Sequence, residues 1–245
     1  MKLDVLAFAA HPDDVELNCG GTIASLTSSG KRVGIIDLTL GEMGTRGTVE
    51  SRKKEAKHAS EILGIAVREQ LELPDSDIRN TRENQLRLIQ VIRTYQPHLC
   101  LVGAPHDRHP DHGAATKLMT DSLFYSGLKK LTTTDAQGNE QNVWRPAYIL
   151  HYMQDRPFEP DLVLDISSHM EQKKKAIEAF NTQFNVKEKA EDHTYISTPE
   201  YFEQVIARAR YFGHLAGFTY GEPFKYYNGP VPLQDFDLFF NSTTD

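Results

Sequence analysis

Short apolar runs alternate with longer segments of helical spacing along the first half of the chain. Within 82–95, for example, Leu86, Ile89 and Ile92 recur at the spacing of one buried helix face. The runs that predict buried strands are 3–10, 32–40, 67–73 and 99–104. This alternation predicts an α/β fold in which helices cover both faces of a mostly parallel sheet.

Residues that begin and end helices flank two of these segments. Thr48 has the side chain of an N-cap before 49–63, and Gly64 follows as a terminator. Thr81 is the equivalent cap before 82–95. These signals fix the expected helix boundaries more closely than hydrophobic spacing does.

The remaining segments are read from weaker patterns. Further helices are predicted from residue 20 to Gly30, and over 114–125, 168–180 and 199–212; further strands are predicted over 147–153 and 162–166. Polar residues dominate 127–146, which predicts an exposed loop, and the tail from Gly213 is aromatic and turn-rich without a helical period. No repeat or long linker interrupts the chain, so we expect a single domain over 1–245.

Composition excludes several classes of function. The 245 residues are 39% hydrophobic and 25% charged, as in an ordinary soluble protein. The formal net charge of −7 argues against nucleic acid as the main partner, because phosphate binding needs a basic face. No stretch reaches membrane-spanning length, and Cys19 and Cys100 lack a CxxC partner. We therefore expect no membrane partner and a cytoplasmic location.

Two histidine–aspartate clusters follow two of the predicted strands. The first is H-P-D-D at 11–14, and the second is H-P-D-H at 109–112. Because ligands of an open parallel sheet bind at the carboxyl ends of its strands, the two clusters are expected to face one cleft. A nicotinamide site is rejected there, since the first turn has no G-x-G-x-x-G and carries two carboxylates where pyrophosphate would bind.

Imidazole and carboxylate side chains are the ligands that a catalytic zinc ion takes. Such an ion needs about three protein ligands, which His11, Asp14 and His112 would supply. Asp13, His109 and Asp111 then remain for proton transfer and for orienting the ligands. The ligand count alone does not assign a separate role to each of the three. Iron(II), cobalt or manganese would also suit two imidazoles and one carboxylate.

The motifs together resemble the LmbE/PIG-L family of zinc-dependent N-deacetylases. The residues that carry the resemblance are A-H-P-D-D at 10–14, G-G-T at 20–22 and R-H-P-D-H at 108–112. The resemblance implies a Rossmann-like, three-layer αβα fold and hydrolysis of N-acetyl groups from glucosamine conjugates. It also implies a homo-oligomer, since relatives are often hexamers.

The resemblance also implies a role for each motif residue. His11, Asp14 and His112 become the zinc ligands, and Asp13 becomes the general base. His109 stabilises the oxyanion or protonates the leaving amine, and Asp111 orients it.

Weaker segments resemble the bacillithiol-pathway deacetylases, which act on N-acetylglucosaminyl malate. Arg52 and Arg108 are candidate contacts for the malate carboxylates, with surface salt bridges as the alternative. Tyr201 resembles an active-site tyrosine that donates to the oxyanion. Glu42 is a candidate contact for sugar hydroxyls, and Arg145 a candidate contact for a neighbouring subunit.

The sequence therefore predicts a zinc hydrolase that acts on a small N-acetylglucosaminide, with the malate glycoside as the first candidate. Three alternatives remain open: a deacetylase of a chitin disaccharide or an inositol conjugate, a thiol-conjugate amidase, and a non-catalytic sugar- or metal-binding protein.

Overall fold

The computed structural model describes residues 1–184 and 193–232, and its elements follow the predicted alternating order. The strands are β1 (Val5–Ala9), β2 (Val33–Asp37), β3 (Val67–Gln70), β4 (Leu99–Val102), β5 (Tyr148–Tyr152), β6 (Leu162–Asp165) and β7 (Gly221–Tyr226). The helices are α1 (Asp14–Ser28), α2 (Val49–Leu63), α3 (Arg82–Tyr95), α4 (Pro110–Tyr125), α5 (Met170–Glu178) and α6 (Pro199–Ala216), with a 3₁₀ turn before α5.

In the described part of the chain, seven strands form one sheet in the order β3-β2-β1-β4-β5-β7-β6. The first five strands along the chain pair in parallel, whereas β7 runs antiparallel to both of its neighbours. The predicted α/β fold with a mostly parallel sheet is therefore confirmed.

Helices cover both faces of this sheet, because both faces of its central strand are apolar. Val5 and Ala7 of β1 pack in a cluster with residues of α1 and α5. Leu6 and Phe8, which point to the opposite face, pack in a cluster with residues of α3 and α4. This burial on both sides explains why β1 is a continuous apolar run instead of an alternating one.

The order of the strands reverses beside β1. The chain passes from β1 outward to β2 and β3, and then returns to place β4 on the other side of β1. A reversal of this kind opens a crevice at the carboxyl ends of the two strands, where α/β proteins bind ligands. His11 follows β1 and His109 follows β4, so the fold brings both clusters to this crevice.

Two helices begin earlier than the sequence predicts. α1 begins at Asp14 instead of Gly20, and its backbone leaves the helical region at Cys19 (φ −140°, ψ 21°). α4 begins at Pro110 instead of Ala114, because proline is well accepted in the first turn of a helix. Both clusters consequently extend into helix N-termini, which hold their side chains more firmly than free loops would.

The prediction for the tail was wrong in part. α6 continues to Ala216 and ends at Gly217, which has the left-handed φ of 84°. β7 then inserts between β5 and β6, although it contains Pro223. Proline is disfavoured inside a sheet, and for that reason the sequence pattern did not reveal this strand. Residues 233–245 of the tail lie outside the described residues.

The predicted helix caps are confirmed. Thr48 accepts a hydrogen bond from the Ser51 N–H, Gly64 has a left-handed φ of 67°, and Thr81 accepts from the Asn84 N–H. Residues 127–146 contain no helix and no named strand, as expected for a loop. Among the described helices, none has both the length and the apolar character needed to cross a membrane.

Candidate active site

The turn after β1 directs two neighbouring carboxylates to different partners. Asp13 has a φ of 123°, a value that L-residues adopt only under strain. Its carboxylate accepts a hydrogen bond from Arg52 Nη2 at 3.3 Å. Asp14 begins α1, accepts from the backbone N–H of His11 at 2.9 Å, and lies with Oδ1 3.2 Å from His112 Nε2. The turn therefore separates the two aspartates that the sequence leaves side by side.

The second turn is organised by hydrogen bonds at the start of α4. His109 is the N-cap, and its Nδ1 accepts from the backbone N–H of Asp111 at 3.2 Å. His112 Nδ1 lies 2.6 Å from Asp107 Oδ2, which leaves its Nε2 directed at Asp14. One ring nitrogen of His112 thus contacts a carboxylate, and the other is directed at the first cluster. This pattern is typical of a metal-binding histidine.

The three histidines of the two clusters meet in the crevice. The ring centroids of His11 and His112 are 5.6 Å apart, and His109 lies 4.8 Å from His11 and 5.0 Å from His112. The structure thus brings together side chains from two distant segments of the sequence. Such proximity is the first requirement for the two clusters to share one metal ion.

The resemblance implies that Asp111 orients His109, but its carboxylate is directed toward Ser76 and His11 instead. Asp111 Oδ2 accepts from the Ser76 N–H at 2.8 Å and lies 3.2 Å from His11 Nε2. The hydrogen bond between Asp111 and His109 comes from the backbone N–H of Asp111. The carboxylate is therefore placed to orient His11.

Asp75 is a site residue that the sequence reasoning missed. Its Oδ1 lies 3.1 Å from His11 Nε2, the same nitrogen that Asp111 approaches. Burial alone would raise the pKa of Asp75, but the hydrogen bond from His11 and its charge lower that pKa to about 2. A signal was present, since Asp75 follows β3 and so lies at the same edge of the sheet as both clusters.

The donor set fits a divalent cation. Ligand atoms bound at ~2.0–2.1 Å around a tetrahedral zinc ion lie roughly 3.4 Å apart. Here His112 Nε2 lies 3.2 Å from Asp14 Oδ1, and His11 Nδ1 lies 3.6 Å from Asp14 Oδ2. Two groupings bring one ligand atom from each of three residues within 4.8 Å of one another: His11 with His109 and His112, and His11 with Asp75 and Asp111. His11 belongs to both of these groupings, and Asp14 belongs to neither.

Burial and pairing shift the pKa values of the candidate ligands in opposite directions. Burial alone would raise the pKa of Asp14, but the charge of His112 and a hydrogen bond from His11 hold it well below its ordinary value. Burial likewise opposes a charge on His112, yet Asp14 and Asp107 raise its pKa to about 9. Such imidazoles hold protons that a bound metal displaces.

Burial shifts the pKa values of the two candidate proton-transfer groups in opposite directions. Burial raises the pKa of Asp13 to about 7, and the nearby Asp14 adds to this effect while Arg52 opposes it. Burial lowers the pKa of His109, and the charges of His11 and His112 act in the same direction. A group whose pKa lies near the operating pH, as that of Asp13 does, is suited to exchange protons with a reacting group.

Arg52 is buried, which a surface salt bridge would not explain. Its Nη2 donates to the Pro12 carbonyl at 2.9 Å as well as to Asp13, and its Nε has no hydrogen-bond partner within the described chain. A side chain on Gly41 would meet the guanidinium at 2.9 Å, so the glycine allows the loop to pass over it. Arg52 therefore forms part of the cavity wall, and its guanidinium holds the carboxylate of Asp13 in place.

The crevice forms a cavity of about 380 Å³, within the range of small-molecule sites. Tyr201 and Arg108 line it, in agreement with their predicted proximity to the metal motifs. Its other lining residues include His11, Asp13, Asp14, Arg52, Asp75, Asp107, His109, His112, Asp155 and Tyr195. Asp107, Asp155 and Tyr195 were not predicted; Asp107 alone had a signal, as a carboxylate two residues before the second cluster.

Two predicted contact residues do not line this cavity. Glu42 accepts hydrogen bonds from the backbone N–H groups of Leu40 and Asp75, so both of its carboxylate oxygens hold loops together. Arg145 donates to the Phe124 carbonyl at 3.1 Å, near the end of α4 that is farther from the cavity. Contact of Glu42 with a sugar and of Arg145 with a neighbouring subunit stay predictions.

The sequence itself has known relatives. The family model PIG-L, described as GlcNAc-PI de-N-acetylase, matches residues 6–123, which include both clusters. A diacetylchitobiose deacetylase from Thermococcus kodakarensis is 31% identical over 235 residues, covering 92% of this chain and 83% of that protein. The chain belongs to the PIG-L family.

Other similar proteins support the same assignment. The conserved protein TT1542 from Thermus thermophilus superposes with a TM-score of 0.83 and 36% identity, covering 96% of this chain and 97% of that one. A probable N-acetyl-alpha-D-glucosaminyl L-malate deacetylase 2 from Bacillus cereus is 29% identical over 196 residues, covering 75% of this chain and 84% of that protein. Membership confirms the predicted family and the predicted enzyme class, a deacetylase.

Proposed function

We propose that this PIG-L family member hydrolyses the N-acetyl group of an N-acetylglucosamine conjugate, releasing acetate and a free amine. One observation carries the proposal. His11 and Asp14 of the first turn lie against His112 of the second, in a cavity that also contains Asp13 and His109. Metal ligands, a base and an acid are thus available around one small volume.

His11, Asp14 and His112 would hold the divalent cation, because the Asp14 carboxylate lies between the two imidazoles, with one oxygen 3.6 Å from His11 Nδ1 and the other 3.2 Å from His112 Nε2. We take Zn²⁺ as the cation, with Fe²⁺ as the alternative that the same ligands suit. When bound, such a cation would polarise the acetyl carbonyl and lower the pKa of the attacking water.

Asp13 is the general base of this proposal. Its carboxylate is buried in the cavity wall and directed away from Asp14, toward Arg52. A pKa of about 7 lets it take a proton from the attacking water and still release it later in the cycle. Arg52 fixes the rotamer of the carboxylate and limits how far its pKa rises.

His109 and Tyr201 act on the other side of the acetyl group. His109 delivers a proton to the leaving amine, while the backbone N–H of Asp111 fixes the ring through Nδ1. Burial raises the pKa of Tyr201, so its phenol stays protonated and donates to the oxyanion. Asp111 contributes through His11, which its carboxylate helps to orient.

Two conjugates are the first substrates to test. The malate glycoside is favoured by the sequence segments that resemble bacillithiol-pathway enzymes. Diacetylchitobiose is favoured by the higher identity, and by the longer alignment, with the Thermococcus kodakarensis deacetylase. An inositol conjugate and a thiol-conjugate amide are further alternatives. A cytoplasmic location and a homo-oligomer, such as a hexamer, belong to the same proposal.

Acetate release from these conjugates tests the proposal. We expect the zinc-loaded protein to hydrolyse at least one of them, and expect chelation to abolish the activity and added zinc to restore it. Asp13→Asn should lower kcat by ~10²–10⁴-fold with zinc still bound, since it removes the base and keeps the shape. Asp77→Asn, an exposed aspartate of a nearby loop, is the matched control.

Two results would contradict the proposal. Zinc at full occupancy without hydrolysis of any N-acetylglucosaminide would favour a non-catalytic sugar- or metal-binding protein. Full activity in Asp13→Asn would show that Asp13 is not the general base and would contradict the proposed mechanism.

A further inference from the structure

One arginine beside the active-site cavity has no part in the proposed mechanism. Arg208 of α6 donates from Nη2 to Asn18 Oδ1 at 2.8 Å and from Nη1 to the carbonyl of Gln154. Both acceptors are neutral and buried, and within the part of the chain that the structure describes Arg208 has no ion pair with a carboxylate. An arginine that loses hydration without gaining a counter-charge is costly to the fold, which indicates a role beyond stability.

The two acceptors of Arg208 belong to segments that build the cavity. Asn18 lines the cavity, and its Nδ2 donates to the backbone carbonyl of Asp14 at 2.7 Å. Gln154 also lines it, and its Oε1 accepts at 3.0 Å from the backbone N–H of Ala104, which follows β4. One guanidinium therefore connects α6 to the first turn of α1 and to the segments that follow β4 and β5.

The same helix carries Tyr201, the proposed oxyanion donor, two turns before Arg208. Residues at this spacing lie on one face of a helix, and both side chains line a second cavity, of about 400 Å³, between α6 and the segment after β5. Burial raises the pKa of the Tyr201 phenol, and the charge of Arg208 opposes this rise. Because the second cavity adjoins Tyr201, close packing does not hold this residue on that side.

We infer that Arg208 is a positioning residue, which holds Tyr201 in place relative to the proposed metal ligand Asp14 through its hydrogen bond to Asn18. This inference rests on the proposed function. The guanidinium suits the task because it donates in two directions from one rigid plane, whereas a lysine ammonium is a point charge on a flexible stem. A displacement of ~1 Å between reacting groups costs on the order of 10²-fold in rate. Arg208 thus affects the reaction without contacting the reacting atoms.

A double-mutant cycle with Tyr201→Phe tests the inference, measured as acetate release by the zinc-loaded protein. Arg208→Gln should lower kcat about 10- to 100-fold and leave KM nearly unchanged, because a hydrogen bond to the oxyanion forms only in the transition state. In the Tyr201→Phe background the same change should have little further effect, since the donor that Arg208 positions is already absent. Arg208→Lys should resemble Arg208→Gln, because it keeps the charge but loses the planar fork.

Arg210→Gln is the matched control, since Arg210 is an exposed arginine of the same helix that contacts the Tyr220 hydroxyl instead. It should leave kcat unchanged. If Arg208→Gln does not fold, Asn18→Ala removes the same link from its other end and enters the same cycle.

Four results would overturn the inference: wild-type kcat in Arg208→Gln, wild-type kcat in Tyr201→Phe, full activity in Arg208→Lys, or an equal loss from Arg208→Gln with and without the Tyr201 hydroxyl. The equal loss is what a purely structural role of Arg208 would produce, because a fall in the folded fraction lowers activity in both backgrounds alike. All four require a wild-type protein that hydrolyses an N-acetylglucosaminide. Failure of the wild type to do so would count against the proposed function itself.

Discussion

The strained backbone of Asp13 explains how two adjacent aspartates serve different purposes. Its positive φ turns one carboxylate toward Arg52 while Asp14 begins a helix and faces His112. The sequence predicts this division of roles, because neighbouring residues of a turn point in different directions. The support from Asp75 and Asp107 was not predicted, although each lies at the same sheet edge as the clusters, because its contact with a histidine depends on the conformation of a loop.

Asp107→Asn should weaken zinc binding ~10–100-fold, since Asp107 fixes the ring of His112 through Nδ1. The measurement is competition with a chelator of known affinity. Asp121→Asn, on the same helix as His112 but bonded to Lys117, should leave zinc affinity unchanged. Equal affinity of Asp107→Asn and the wild type would show that this carboxylate does not support the proposed ligand.

At the scale of elements, the break in α1 depends on a strand that the sequence did not reveal. Glu222 of β7 accepts hydrogen bonds from the N–H groups of Gly21 and Thr22, just after the break at Cys19. Lys173 of α5 pairs with the same carboxylate. Helices with clear caps could be predicted to the residue, whereas this contact joins positions 200 apart in the chain and needs the sheet order to be known.

Glu222→Gln should destabilise the protein by about 3–5 kcal/mol, because it leaves Lys173 buried without a counter-charge. Both side chains are only 2% exposed, so water cannot compensate the lost charge. Denaturant unfolding measures the change, and the double variant Glu222→Gln with Lys173→Met should recover part of it.

Glu171→Gln is the control for that experiment, since the side chain of Glu171 is exposed and pairs with Lys174. Such surface pairs contribute about 0–1 kcal/mol. If Glu222→Gln cost no more than this control, the buried pair would not be what holds β7 against α5.

At the scale of the whole molecule, the reversal of strand order beside β1 creates the site. The alternation of apolar runs and helices was enough to predict a mostly parallel sheet, and the sheet-edge rule was enough to predict that His11 and His112 meet. The insertion of β7 and the closing of the cavity by Tyr195 were not predictable, because both depend on the packing of distant segments.

The most direct test of the account is the position of the metal in zinc-loaded crystals, located by anomalous scattering at the zinc edge. We predict one strong peak within bonding distance of His11, Asp14 and His112, with Asp13 and His109 beside it but not bonded to it. A peak bonded instead to His11, Asp75 and Asp111, or no peak in this cavity, would contradict the account.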